Sequence, residues 1–317
     1  MPPTALSPQL YERGAELMTK TFLEGRGYVL VTAAYNEERY LDTLIRSILA
    51  QTLRPLRWVI VSDGSTDGTD AIVQQYSAQN EFIELVRITE DHPRNFAAQV
   101  HAINAGLARL EDTEYDFIGN VDADMSFEPD YFTDLLDVFA NDPALGLAGG
   151  SIYEMQAGEF QPRPLNREAS VAHAVQLFRR KCFEDLGGRY LPLLHGGPDT
   201  YADVCSRMNG WGVRSIHGFK AYHHRPTGGA TGWMRGSFRQ GRMDYSLGIH
   251  PFFEICRLLL RVGSRPWVLY AGIRLAGFCF SYCILEKRMV SREFVRFLRK
   301  EEVDRLGGLF MRKSAHS

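Results

Sequence analysis

The chain has 317 residues, enough for one large domain or two small ones, and its 45% hydrophobic content supports a substantial core. The formal net charge of −2 hides an asymmetry: Pro251 to Ser317 carries 13 Lys and Arg against 6 Asp and Glu, and the first 250 residues carry 23 against 32. That balance points the C-terminal segment at an anionic partner, while the five cysteines, with no Cys-x-x-Cys pair or metal-ligand spacing, exclude a disulfide framework and a zinc module.

Residues 1–26 read as a leader, and Met1 to Lys20 lacks the basic start and apolar run of a secretory signal. With the odd cysteine count, this gives a reducing, cytoplasmic setting as the expectation. Tyr28 to Ala34 is a continuous apolar run, as suits a parallel strand buried on both faces. Asn36 reads as a helix N-cap before apolar residues at helical spacing from Tyr40 to Leu49. Trp58 to Ser62 is the next strand, followed by a helix near Asp70 to Ala78, a strand at Ile83 to Arg87 and a helix from Asn95 to Leu110. A fourth strand, Phe117 to Val121, precedes a helix over about Pro129 to Ala140. Strands alternating with helices at this spacing imply βαβ units and a mostly parallel sheet.

Gly149 to Gly236 is rich in Gly, Pro and His with few clear periods, and reads as loops over a site, apart from a short strand at Lys220 to Tyr222 and a helix at Tyr201 to Asn209. From Pro251 the pattern is helical again. Trp267 to Leu285 approaches spanning length, but Arg274 near its centre and two internal glycines favour an interfacial or core helix. A last amphipathic helix covers Ser291 to Leu306. Cys279 and Cys283 fall in the apolar helix and read as packing residues; His101 and His173 read as structural.

The chemistry collects at strand ends. Asp122 and Asp124 close the fourth strand with one alanine between them, so both carboxylates can face one point. Two like charges that close repel unless a cation lies between them, and a divalent ion bridging to phosphate oxygens fills that role. Asp63 ends the second strand in a loop that is neither a dinucleotide fingerprint nor a P-loop; its carboxylate could accept a hydrogen bond from a base N–H. Asn36 and Glu37 follow the first strand. Three successive strands ending in acidic or amide groups point to one ligand lying across them.

Thr32 to Glu38 (TAAYNEE), Ser62 to Thr69 (SDGSTDGT) and Asn120 to Met125 (NVDADM), in this order and spacing, resemble the signature of the family-2 glycosyltransferases, over about Gly27 to Arg225. The resemblance implies an inverting, metal-dependent enzyme of the GT-A fold. It implies that Ala34 and Glu37 line the base pocket, that Asp63 holds the base, and that Asn95 meets the donor, although Ala97 stands where the family usually has glycine. Asp124 would be the direct ligand of Mn2+ or Mg2+, with Asp122 serving both metal and donor sugar. Gly196 to Thr200, leading into a helix, fits the place of the general base; Pro198 replaces the usual Glu, so the role falls to Asp199, with Asp203 as the competitor. A histidine from His223-His224-Arg225 would complete the metal shell, and alternation selects His224. Arg239 and Arg242 would meet the diphosphate.

The resulting expectation is an α/β protein of GT-A type: a leader at 1–26, a transferase domain at 27–250 and a helical extension at 251–317. Residues 27–125 would form the nucleotide half and 126–250 the acceptor half. Such a protein would move a sugar from a nucleotide-diphosphate donor to a glycan or lipid-linked hydroxyl in cell-surface polysaccharide synthesis. The basic, aromatic-rich C-terminal helices suit peripheral contact with an anionic membrane at the inner face of the plasma membrane. No nucleic-acid module is present. The rivals are a metal-dependent sugar nucleotidyltransferase and an inactive sugar-nucleotide or glycan-binding protein.

Overall fold

A computed structural model describes residues 27–89, 95–156, 158–163, 168–225, 232–259 and 267–314; the leader expected at 1–26 lies outside them. Three strands form the first half of the sheet: β1 (Tyr28–Ala34), β2 (Arg57–Asp63) and β3 (Ile83–Ile88). They alternate with helices α1 (Leu41–Leu49), α2 (Thr69–Ser77) and α3 (Phe96–Ala108), and all pair in parallel, β3-β2-β1, with β4 (Phe117–Val121) parallel on the other side of β1. β4 is buried throughout and β1 nearly so, which accounts for their unbroken apolar sequences. In α1, Leu41, Leu44, Ile45 and Ile48 form the buried stripe that the spacing predicts.

After β4 come β5 (Met125–Phe127), α4 (Tyr131–Asn141), β6 (Leu145–Gln156), β7 (Glu159–Pro162) and β8 (Val175–Arg179), then α5 (Arg180–Asp185), α6 (Pro198–Met208) and β9 (Gly212–His223). The sheet order is β3-β2-β1-β4-β8-β6-β9-β5, with β7 on β6. Here antiparallel pairs enter: β8 runs against β4 and β6, and β5 against β9. The stretch expected as loops therefore carries most of β6 and all of β7, β8 and β9. β6 hides from a periodicity search because its first eight residues are all buried, glycines included, and its pairing with β9 shifts register between Gly150 and Ser151. The short strand expected at Lys220 to Tyr222 is the end of the twelve-residue β9.

The remaining helices are α7 (Trp233–Leu247), α8 (Pro251–Leu259), α9 (Trp267–Cys283) and α10 (Arg292–Ser314). A second apolar cluster joins them to α6 through Val204, Cys205, Tyr245, Phe278, Phe294 and Leu298. Helices α7 and α9 cross at van der Waals distance. A Cβ on Gly241 would lie 1.8 Å from the Arg274 carbonyl oxygen, and one on Gly277 would lie 2.0 Å from that of Phe238. Arg274 is buried in this crossing and pairs with Asp244 at 2.7 Å, as the core-helix reading of Trp267 to Leu285 requires. Among the described residues no helix is long and apolar enough to cross a membrane.

Candidate active site

The loops after β1 and β2 are stitched into one wall. Asn36 has a positive φ of 54°, and its Oδ1 accepts from the Thr66 amide at 2.8 Å while its own amide donates to Ser65 Oγ at 3.1 Å. The Glu37 amide donates to Thr69 Oγ1 at 2.8 Å, and Glu38 Oε2 accepts from the Gly68 amide at 2.7 Å. Asn36 is thus a cross-loop tie and not the helix cap expected of it; Tyr40 precedes α1 with no side-chain cap. The wall fixes Ala34 and Asp63, both buried, at the ends of adjacent strands.

Asp122 and Asp124 leave β4 beside this wall. The Asp122 Oδ1 accepts from Gln99 Nε2 at 3.1 Å and lies 3.7 Å from His173 Nδ1. Burial would raise the Asp122 carboxyl, but His173, then His223 and Asn120, outweigh it and hold it below the usual carboxylate range. Asp124 is 8% exposed, and its Oδ2 receives two nitrogens, Arg225 Nε at 3.1 Å and His223 Nε2 at 3.3 Å. Arg225 also clasps the Glu37 carboxylate, tying the β1 loop to the β4 end. Burial pushes Glu37 up to about 7, opposed by Arg225 and reinforced by Asp124.

The ring that reaches Asp124 belongs to His223 and not to His224. His224 Nε2 contacts Ser126 Oγ at 2.8 Å, and its ring stands edge-on to Phe160. The register explains the exchange, since Met125 pairs with His223 and sets it alongside the aspartate pair. The other ring nitrogen of His223 faces Glu154 of β6 at 3.6 Å. Burial would lower the His223 pKa; Asp124 and the other carboxylates raise it instead.

Asn95 is committed to structure: it caps α3, its Oδ1 accepting from the Ala97 and Ala98 amides at 2.8 and 3.3 Å. Asp199 lies half-buried in the first turn of α6, after Gly196 and Gly197, which both have positive φ. Its competitor Asp203 is buried, accepting from Ser170 Oγ at 2.7 Å and the Val171 amide at 3.2 Å; burial pushes its pKa up to about 8. Asp203 therefore anchors a loop and presents no carboxylate outward. The buried Tyr190 hydroxyl donates to Gln176 Oε1 at 2.9 Å; burial, reinforced by Asp122, Asp199 and Asp203, raises its pKa.

Arg239 and Arg242 lie farther along, on α7. Arg239 stacks on Phe96 with its guanidinium carbon 3.7 Å from the ring centroid, and Arg242 pairs with Glu286 at 2.8 Å. Both line a cavity of about 400 Å³ that none of the strand-end carboxylates touches.

Residues 29–198, more than half the chain, match the family model described as glycosyl transferase family 2. The chain belongs to this family. A curated relative is the poly-beta-1,6-N-acetyl-D-glucosamine synthase of Staphylococcus aureus, 27% identical over 128 residues, which are 40% of this chain and 29% of that one. The chain thus matches less than a third of that relative's length. Among solved structures, the mannosyltransferase PcManGT from Pyrobaculum calidifontis, in complex with GDP-Man and Mn2+, superposes with a TM-score of 0.54. It is 15% identical, covering 92% of this chain and 88% of its own. S. aureus TarS in complex with UDP superposes at 0.51, also 15% identical, covering 82% of this chain and 92% of that one. The fold is GT-A, as expected.

Among the described residues, no three His, Cys, Asp or Glu side chains gather as a ready cation site. What a family-2 metal would meet is the Asp124 carboxylate with the His223 imidazole, and Asp122 two residues back on the strand side. One or two carboxylates and an imidazole, leaving other positions to phosphate oxygens, suit Mg2+ or Mn2+. Arg225 already places its positive charge at the same oxygen, at 3.1 Å, so a metal ion there would share or displace that contact. His173, read from the sequence as structural, meets Asn120 through its Nδ1 and carbonyl, and its Nδ1 stands 3.7 Å from Asp122; nothing in the sequence around it signalled that second contact.

Proposed function

We propose that this family-2 protein catalyses inverting transfer of a sugar from a nucleotide-diphosphate donor to a hydroxyl of a glycan or lipid-linked acceptor in cell-surface polysaccharide synthesis. The observation that carries the reading is that Asp122 and Asp124 follow the carboxyl end of the central strand β4, beside the wall formed by the loops after β1 and β2.

The base of the donor lies against Ala34, Glu37 and Asp63, where the Asp63 carboxylate accepts from a ring N–H. Asp122 orients the donor sugar, itself held by Gln99 and His173. Asp124 and His223, with Asp122, hold Mn2+ or Mg2+, which supplies charge stabilisation for the diphosphate. Asp199 takes the proton of the attacking hydroxyl as the acceptor oxygen bonds to the anomeric carbon. The bond from that carbon to the phosphate oxygen breaks, and its electron pair departs with the nucleoside diphosphate. Opposite-face attack inverts the anomeric centre. In this reading the strand-end residues belong to a nucleotide half at 27–125 and Asp199 to an acceptor half at 126–250. The basic C-terminal helices bring the protein to an anionic membrane surface from the cytoplasmic side.

The test follows product release from UDP- and GDP-sugars with a crude glycolipid extract as acceptor. Release of nucleoside diphosphate, dependent on added Mn2+ or Mg2+ and lost in Asp199→Asn with nucleotide affinity intact, supports the proposal. Pyrophosphate release would identify a nucleotidyltransferase, and full activity of Asp199→Asn would remove that residue from the chemistry.

A further inference from the structure

The cavity between the 195–197 loop, α7 and α9 combines two features that no part of the donor site uses. The first is uncompensated positive charge. Arg239 is half-buried; its Nη1 donates to the His195 carbonyl at 2.5 Å, and its Nε is buried without a partner among the described residues. No carboxylate among the described residues pairs with it, and burial lowers its pKa. A buried cation without a counter-ion is costly and is relieved by an anion. Arg235, exposed on the same wall, adds a second charge. Arg242 is matched by Glu286, which also meets His195 Nε2 at 2.7 Å and Ser281 Oγ at 2.6 Å, so three arginines face one carboxylate.

The second feature is apolar. Met234, Phe238 and Ile273 complete the lining. Ile273 lies on a stripe of α9 with Leu269 and Phe280, which are 63% and 43% exposed and four and seven residues away, and Ile284 extends it beyond the helix at 50% exposed. Trp233, at the start of α7, is 54% exposed near the mouth. A continuous exposed apolar track leading from a cationic pocket marks a ligand that is itself apolar with an anionic head. A free sugar nucleotide leaves the track uncovered, and a neutral alcohol leaves the arginines uncovered.

We propose that this cavity seats the phosphate of an amphiphilic acceptor, a long-chain lipid joined through phosphate to the hydroxyl-bearing sugar that attacks the donor, with its hydrocarbon chain lying along α9. The proposal rests on the transferase reading and names its acceptor class. Position favours it: a Cβ on Gly196 would lie 3.0 Å from Arg239 Nη1, and Asp199 follows three residues later. A phosphate held by Arg239 therefore sits beside the loop that carries the proposed base.

The experiment measures binding of farnesyl phosphate, farnesol and inorganic phosphate by calorimetry, with UDP plus Mn2+ titrated in parallel. Farnesyl phosphate is expected to bind at least tenfold tighter than either fragment. Arg239→Gln should abolish that advantage and Arg239→Lys restore part of it, with circular dichroism confirming that both are folded. UDP affinity should be the same in all three proteins. Equal binding of farnesol, or an undiminished advantage in Arg239→Gln, overturns the proposal. So does a loss of UDP affinity in Arg239→Gln, which would assign the arginine to the donor. Arg239-dependent binding to phosphatidylglycerol vesicles without affinity for farnesyl phosphate would make this a bilayer headgroup site and overturn the acceptor class. If the unsubstituted protein binds no nucleotide with metal, the transferase reading fails and takes the word acceptor with it, while farnesyl phosphate affinity still reports on the pocket.

Discussion

Removing the Asp124 carboxylate leaves Arg225 and His223 facing each other with no anion between them. Asp124→Asn should therefore lose tenfold or more of the Mn2+-dependent UDP or GDP affinity, about 1.4 kcal/mol, in calorimetric titrations with and without metal. Unchanged affinity would take Asp124 out of the metal site. Asp203 sets a different expectation. Its folded pKa of about 8 lies above the ordinary 3.8, so between those values the native state keeps a proton that the unfolded chain has released. Its contribution to stability is therefore greatest below pH 4 and declines as pH rises towards 8. Glu302, which burial raises to about 7, adds a decline of the same sign. Asp203→Asn can keep its Oδ1 as acceptor for the Val171 amide while its Nδ2 donates to Ser170 Oγ, and should flatten the fall of Tm between pH 5 and 8; an unchanged slope would contradict the assignment. At this scale the aspartate pair was legible because strand-end position alone places it. The histidine was not, because choosing between His223 and His224 needs the β5–β9 register. Asn36 was misread because a left-handed residue bonding across to another loop leaves the same local sequence as a cap.

Elements with a distinctive apolar run or stripe were readable, and those without one were not. β1, β2 and α1 announce themselves, the strands by unbroken β-branched and aromatic runs and the helix by its 3.6-residue stripe. β6 and β9 do not. One has Gly149 and Gly150 in its middle, and the other is polar along most of its length, so their strand character comes from the partner each finds in the sheet. The α7–α9 crossing could not be foreseen either, because two glycines in separate helices gain meaning only when backbones meet. A methyl group on Gly241 collides with the Arg274 carbonyl, and backbone cannot yield as a side-chain tip would. Gly241→Ala should cost about 1–3 kcal/mol or more by overpacking. The expected readout is a Tm lowered by several degrees, with UDP affinity at the distant strand ends retained. A Tm equal to that of the unsubstituted protein would show that the helices cross less closely.

For the molecule as a whole, a ligand that bridges the β1 and β2 loops and the Asp124 region binds only the assembled sheet. Saturation at about a hundred times Kd adds roughly 2.7 kcal/mol to stability. UDP or GDP with Mn2+ should accordingly raise Tm by several degrees, and a chelator should reverse the rise; nucleotide-independent Tm values would count against a donor site at these strand ends. Fold class was legible at this scale because alternating strands and helices leave few alternatives. The packing of the C-terminal helices was not, since nothing local reveals which helix they face.

The pairing of Met125 with His223 also fixes an order of events in time. Ser126 and His224, which touch, are separated by 98 residues. At about 5–20 residues per second, a ribosome needs roughly 5–20 s to supply that interval. During it the emerging chain already possesses every strand of the parallel half, β1 to β4, but Asp124 has neither His223 nor Arg225 beside it. The parallel half can thus take shape before birth of the full chain has finished, whereas the corner of Asp124, His223 and Arg225 is among the last places to close. A ribosome stalled before His223 would display the joined β1 and β2 loops without that corner.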